Sequence, residues 1–353
     1  MRSGSGPRPS ASFPALAPFT RPSPSMDFPP AEIGLSPPTV RPEGPVRVAP
    51  GFAVRLEGVS KSFGDFRAVS DLDLEVPRGT VYGLLGPNGS GKTTTIRMIM
   101  GILGPDRGRV RLFGDDPGRT RRERVGYLPE ERGLYRKMKV RDHLVFLARL
   151  RGISRPTATK RASEWLERLD LGAWSHRRVE DLSKGMQQKV QFVGTVLHEP
   201  ELLVLDEPFS GLDPINQDLL EAIVREFHGR GTTILFSTHL MDQAERLCQR
   251  VCLISRSRKV LDGDLQALKR AQRMGVVAVD FQGPAEWAQG PEVEGVEETP
   301  TGLRLRLRPG ADSQGVLARA VGSGARITRF QEVEPRLHEI FVRHTGDTGP
   351  DSP

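Results

Sequence analysis

Hydrophobic positions along this chain change period several times, and each change marks an element. Between residues 52 and 76 apolar and polar residues alternate, as Val54-Arg-Leu56 and as Leu72-Asp-Leu74-Glu-Val76. A period of two puts one face on a core and the other in solvent, so these stretches predict antiparallel strands. Three later runs, 81–85, 202–205 and 232–238, are largely apolar or β-branched, the pattern of strands buried on both faces of a parallel sheet. A helical pattern follows the first of them over 93–100. From about residue 140 to 196 the period is helical again, with Val145, Phe146 and Leu150 and then Trp165, Leu166 and Leu169. A strand is expected near 110–113, a short helix over 241–250 and another strand over 251–255. Past Gly275 the pattern gives strands at 276–281 and 303–307 and helices at 317–321 and 335–341. Leu337, Ile340 and Phe341 share one face of the last helix.

Composition narrows what these elements can be. At 353 residues with 37% hydrophobic positions, the chain suits one sizeable domain plus appendages. No stretch approaches the ~20 uninterrupted apolar residues of a spanning helix, so a soluble or membrane-peripheral protein is expected. Residues 1–50 hold thirteen of the 29 prolines and few large apolar residues, a composition that predicts a disordered tail without a secretion signal. Translation from Met26 would remove half of it, and the sequence leaves both starts open. The two cysteines, Cys248 and Cys252, are too few for a disulfide framework and read as core residues of a reducing compartment. Net charge is +7, with basic runs at 119–124 and 149–151. Such runs could attract anionic lipid or nucleic acid, but no nucleic-acid-reading module accompanies them, so no specific nucleic-acid partner is expected.

The candidate chemistry sits where the apolar strands end. Strand 81–85 runs into Gly86-Pro87-Asn88-Gly89-Ser90-Gly91-Lys92-Thr93-Thr94. The spacing G-x-x-x-x-G-K-T, between a strand and a helix, is that of a loop whose backbone N–H groups cradle phosphates. The following helix N-terminus adds favourable partial charge. Lys92 would reach the β- and γ-phosphates, and the Thr93 hydroxyl would ligate Mg²⁺. Strand 202–205 ends in Asp206 and Glu207. Paired carboxylates alone usually mark a solvated turn. Behind a buried strand, Asp206 is placed to hold a Mg²⁺ shell and Glu207 to polarise an attacking water. Strand 232–238 delivers His239. A lone histidine at a strand end is as a rule structural, but beside a phosphate site it can bond the γ-phosphate and the attacking water.

These motifs, in this order over about residues 52 to 267, resemble the ATP-binding subunit of ABC transporters. The resemblance implies a P-loop NTPase cassette: a RecA-like α/β core, an antiparallel β subdomain and a helical subdomain, spanning 51–267 with the helical part at about 136–196. A small α+β unit over 275–345 and the tail of 1–50 complete the expected organisation. Phe63, in Lys61-Ser-Phe-Gly64, fits the aromatic that stacks on adenine; otherwise it is a core residue on a β-turn. Leu182-Ser183-Lys184-Gly185-Met186 corresponds to the family signature, which grips ATP held by the opposite subunit through Ser183 and Gly185. On spacing alone Ser183 is a helix N-cap. Ser210-Gly-Leu-Asp213 resembles the segment that crosses between the two sites, and Asp262-Gly263-Asp264 the Gly-containing turn that closes the cassette.

The sequence departs from the family in three places. Lys184 and Met186 replace the usual Gly and Gln of the signature. Glu130 stands where most cassettes carry glutamine, in Tyr127-Leu-Pro-Glu-Glu-Arg-Gly133. A carboxylate is an acceptable hard ligand for Mg²⁺, so Glu130 is either a third metal ligand or a loop cap. The 129–135 loop and the tail Leu337-His-Glu-Ile-Phe-Val-Arg-His-Thr-Gly346 resemble the sodium- and drug-exporter branch. The resemblance implies a homodimer or a pair of cassettes that binds ATP and Mg²⁺. It also implies a separate integral membrane permease, and a cytoplasmic position on the inner face of the membrane. Export is the favoured direction. An importer ATPase, or a soluble cassette acting on nucleic acid or ribosomes, stands as the alternative; the single cassette without coiled-coil insertions argues against the latter.

Overall fold

The computed structural model describes residues 51–120, 122–131, 133–272 and 275–346; the expected tail of 1–50 lies outside them. The chain opens with a hairpin of β1 (Phe52–Phe63) and β2 (Phe66–Pro77), turned at Gly64 with φ 57°. Next come β3 (Val81–Leu85), α1 (Lys92–Ile99), β4 (Arg107–Leu112) and β5 (Val125–Leu128). A helical stretch follows: α2 (Val140–Leu150), α3 (Arg155–Arg168) and α4 (Lys184–Val196). Then the period switches back, through β6 (Leu202–Asp206), α5 (Pro214–Gly229), β7 (Thr233–Thr238), α6 (Met241–Leu247), β8 (Arg250–Ser255), β9 (Arg258–Asp264) and α7 (Leu265–Ala271). The last elements are β10 (Val276–Gln282), β11 (Val293–Thr299), β12 (Gly302–Leu307), α8 (Ser313–Gly322), β13 (Arg326–Val333) and α9 (Leu337–Thr345).

The central layer is a six-stranded sheet in the order β5-β6-β7-β3-β8-β9, parallel except for β9. Every residue of β3, β6 and β7 is buried, which is why their sequences lack alternation. An antiparallel sheet β2-β1-β4 and helix α1 cover one face, with Leu56, Leu74 and Ile96 meeting Tyr82, Leu84 and Val204 in one core. The other face buries Phe236, Leu203 and Leu205 with α5 and the α2–α4 bundle, through Leu144, Ala162, Leu166, Val193 and Ile223. Each such side chain removed from water contributes on the order of 2 kcal/mol. His143, on α2, is fully buried with neither ring nitrogen hydrogen-bonded; burial pushes its pKa down to about 4, so the ring is neutral at pH 7.

A third sheet, β11-β12-β10-β13, is antiparallel throughout and carries α8 on one face. Val277, Val279, Leu303, Leu305 and Leu307 point inward onto Trp287, Val316 and Ala320.

Two readings of the sequence change here. Asp262-Gly263-Asp264 is the end of β9 rather than a turn, because Cys252, Val251 and Arg250 pair with these three residues and the Tyr82 hydroxyl donates to Asp262. The chain reverses earlier, at Arg256 and Ser257, both at positive φ. The strand expected near 110–113 is β4, in the antiparallel sheet, and β5 leads into the Glu130 loop. The helix after His239 stops at Leu247, since Arg250 already begins β8.

Candidate functional site

Strand register brings the candidate residues to one edge. Leu85 lies opposite Thr238, Asp206 opposite Ser237 and Leu128 opposite Leu205. The segments beginning at Gly86, Glu207, His239 and Pro129 therefore leave the same edge of the sheet, where the carboxyl ends of parallel strands form a crevice.

The loop between β3 and α1 needs its glycines for space and for conformation. Gly86 has φ 150°, and a Cβ there would lie 2.1 Å from the Ile254 carbonyl oxygen. Gly91, at φ 112°, would put a Cβ 2.4 Å from the Ala68 oxygen. Both are distances no side chain tolerates at a φ that disfavours one. Pro87, Asn88 and Gly89 are exposed at the loop's rim, Ser90 and Lys92 are buried, and Thr93 and Thr94 are half-buried. Lys92 Nζ donates to the Gly86 oxygen at 2.7 Å and the Pro87 oxygen at 3.1 Å, so the ammonium closes the loop from below. Burial lowers its pKa, opposed by the negative charges of Glu207, Asp206 and Glu130. The cation thus faces all three carboxylates from other strands.

Asp206 is fully buried, accepting at Oδ1 from the Ser237 hydroxyl. Burial raises its pKa, opposed by the hydroxyls of Ser237 and Thr93 and by the Lys92 charge. Its Oδ2 has no hydrogen-bond partner, and neither has Ser90 Oγ. A buried carboxylate oxygen left unsatisfied is costly and suits a hard cation or its water. Glu207 sits at φ 48°, a left-handed conformation that a non-glycine residue adopts only when its surroundings impose it. Its carboxylate accepts from His239 N at 3.0 Å and from His239 Nδ1 at 2.8 Å, and Thr238 Oγ1 lies 3.3 Å away. With Nδ1 donating to Glu207, the His239 ring directs Nε2 away from the carboxylate.

Glu130 is exposed, and its loop is held by α4: Gln191 Nε2 donates to the Pro129 and Glu131 oxygens at 3.1 and 3.2 Å. Three residues earlier Gln188 Nε2 donates to the Pro208 oxygen at 2.9 Å. One helix therefore touches both the Glu130 loop and the segment after Glu207. Sequence reasoning passed over Gln188, Gln191, Ser237 and Thr238. The available signal was polar residues on the buried side of a helix and at the end of an apolar strand.

Ser183 caps α4, its hydroxyl accepting from Met186 N at 3.3 Å, and both Ser183 and Lys184 are exposed. Among the described residues no hydrogen bond or ion pair joins Ser183 or Gly185 to the phosphate loop. A Cβ on Gly185 would meet only Leu212 Cδ2, at an ordinary 3.6 Å, so packing within the chain does not require glycine there. Asp213 caps α5, accepting from Asn216 N at 3.0 Å. Phe63 is 49% exposed at the end of β1, with Lys61 Nζ 5.8 Å from its ring centre.

Comparison with known proteins adds a family to this geometry. Residues 69–210 match the family described as ABC transporter, and residues 263–345 match the C-terminal domain of ATP-binding proteins described as DrrA1-3-like. The chain is 44% identical over 292 residues to the uncharacterized ABC transporter ATP-binding protein YhaQ of Bacillus subtilis, covering 82% of this chain and 98% of that one. It is 36% identical over 301 residues to the Nod factor export ATP-binding protein I of Paraburkholderia xenovorans, covering 84% and 98%. A solved ATP-binding subunit of an ABC transporter superposes with TM-score 0.58 at 32% identity, over 62% of this chain and 92% of that one.

Proposed function

This chain belongs to the ABC transporter ATP-binding proteins, and on that premise we propose that it works as a pair of copies driving export through a separate membrane subunit. The observation that carries the reading is the convergence of Lys92, Asp206, Glu207 and His239 from strands out of chain order onto one edge. The backbone of Gly86 to Thr94 binds the phosphates of ATP, and Lys92 holds the β–γ end. Phe63 stacks on the adenine. Thr93, Asp206 and Glu130 fit a Mg²⁺ ion, with the unsatisfied Asp206 Oδ2 as the strongest sign. Among the described residues no three His, Cys, Asp or Glu side chains converge as a metal cage. Mg²⁺ needs none, since it keeps waters and takes substrate phosphates. Bound there, the ion neutralises charge on the transferring phosphoryl group.

Glu207 accepts the proton of a water whose oxygen attacks the γ-phosphorus, as the bond to ADP breaks and ADP and phosphate leave. His239 orients that water through Nε2. Ser183, exposed at the N-cap of α4, and Gly185, where packing within the chain does not require glycine, reach the γ-phosphate on the second copy. Loss of that phosphate weakens the closed pair. The pair in turn moves a membrane subunit docked near the Glu130 loop. There Tyr135, Phe146 and Leu150 are 53%, 38% and 63% exposed, an apolar patch beside a polar site. No helix among the described residues is long and apolar enough to cross a membrane, which fits a subunit peripheral on the inner face of the membrane. Export is favoured by the relatives named for Nod factor export.

Purification with candidate membrane proteins of about six spans tests this. A partner should co-elute, stimulate ATP turnover, and drive cargo into inside-out vesicles. Stimulation that requires an extracytoplasmic binding protein, with cargo leaving such vesicles, would identify an importer instead.

A further inference from the structure

Helix α6 begins two residues after His239 and has only seven residues, with Leu240 at its N-cap and no side-chain cap. So short a helix does not hold its own place, and its neighbours set it. On its inner side Gln243, 6% exposed, lies with Oε1 3.2 Å from Thr238 Oγ1, which is 3.3 Å from the Glu207 carboxylate. Leu240 N donates to the same hydroxyl at 3.0 Å. The helix is thus one side chain away from the carboxylate that His239 also bonds. On one flank Arg246 pairs with Glu221 of α5 at 2.7 Å.

The remaining support comes from the end of the chain. Helix α9 packs on α6. Leu337 and Phe341 are buried in the same core as Met241, Ala244 and Leu247, and Ile340 is also fully buried. Leu337 N donates to the Glu245 carboxylate, which Lys269 of α7 also approaches at 3.5 Å. Only three residues, 334–336, separate α9 from β13, so wherever the third sheet sits, α9 is tethered to it.

We propose that α9 is a positioning element for ATP hydrolysis: through Leu337, Phe341 and Glu245 it fixes α6, and so sets the geometry of His239 against Glu207. Neither α9 nor the third sheet need touch nucleotide for the C-terminal part of the chain to govern turnover. The inference rests on the reading of His239 and Glu207 as the hydrolytic groups.

The test is single-turnover ATP hydrolysis by the full chain carrying Phe341→Ala, His239→Ala or both. A small displacement at a reacting group is costly in rate. Phe341→Ala should therefore lower the rate about tenfold while ATP affinity stays within about twofold. Phe341→Leu should restore most of it. In the His239→Ala background Phe341→Ala should cost nothing more, since the group it positions is gone. Should Phe341→Ala not fold, Glu245→Ala carries the same comparison with a smaller loss. A wild-type rate in the single variant, or losses that multiply in the double variant, overturns the proposal. If His239→Ala alone hydrolyses at the wild-type rate, the hydrolytic reading beneath it fails as well.

Discussion

The six-stranded and four-stranded sheets of this molecule solve burial differently, and the difference decides where chemistry can sit. In the first, β3, β6 and β7 are buried along their whole length, so no face is left for function. Their parallel direction instead delivers three carboxyl ends to one edge, where Gly86, Glu207 and His239 follow. In the second, the strands run antiparallel and successive ends point opposite ways, so no edge collects them. Burial alternates along β10 and β12, one face meets α8, and the other bears Asp280, Arg304 and Arg329 around a cleft of about 600 Å³. One sheet concentrates polar groups at its ends; the other spreads them over a face and acts on the rest of the chain through the helix that leaves it.

The sharpest way to break this contrast is at Glu207. If the strand ends carry the chemistry, Glu207→Gln should retain ATP binding and lose at least about a hundredfold in turnover. ATP should then trap the paired form, visible by light scattering. Ordinary turnover in that variant would remove Glu207 as the base. A change of the same structural severity in the other sheet should behave differently. Trp287 is 3% exposed, packs edge-on to Phe281 at 5.0 Å, and accepts at its carbonyl from Arg319 Nε at 2.8 Å. Trp287→Ala should cost about 3–5 kcal/mol of stability, measured by denaturant unfolding, with ATP affinity within about twofold. A tenfold change in affinity would show that the two sheets are not separable in this way.

The contrast also explains what could be read from the residues alone. An uninterrupted apolar run ending in Gly86, Asp206 or His239 announces both a strand and its chemistry, because burial on two faces leaves only the end polar. The one-sided strands gave weaker signals. β11 reads Val-Glu-Gly-Val-Glu-Glu-Thr, acidic enough to pass for a loop, and β13 is mostly exposed. Asp262-Gly263-Asp264 carries turn residues, yet backbone pairing with β8 makes it strand, and pairing partners from elsewhere in the chain are not written in a local pattern. For the same reason Thr238, Gln188 and Gln191 went unnoticed. Each is a common residue whose importance comes from what the fold sets beside it, a carboxylate or a carbonyl tens of residues away in sequence.

The smallest expected effect concerns Glu130, a member of the edge that lies on a loop in solvent. Glu130 follows β5, its neighbours' carbonyls are pinned by Gln191, and its charge acts on Lys92. A carboxylate and an amide offer the same kind of oxygen to Mg²⁺, so exchange should alter charge and little else. Glu130→Gln removes one negative charge from an exposed position, where water screens most of its effect. Two consequences of opposite sign follow. Attraction for the cation weakens, so half-maximal ATPase activity should need about threefold to fivefold more free Mg²⁺, with the rate at saturation nearly unchanged. Repulsion of the triphosphate also weakens, so ATP affinity in EDTA, measured by calorimetry, should rise by a similar factor. Superimposable Mg²⁺ titrations would mean that Glu130 caps its loop and ligates nothing. A rise in Mg²⁺ demand without the gain in EDTA would place the carboxylate near the cation but away from the phosphates.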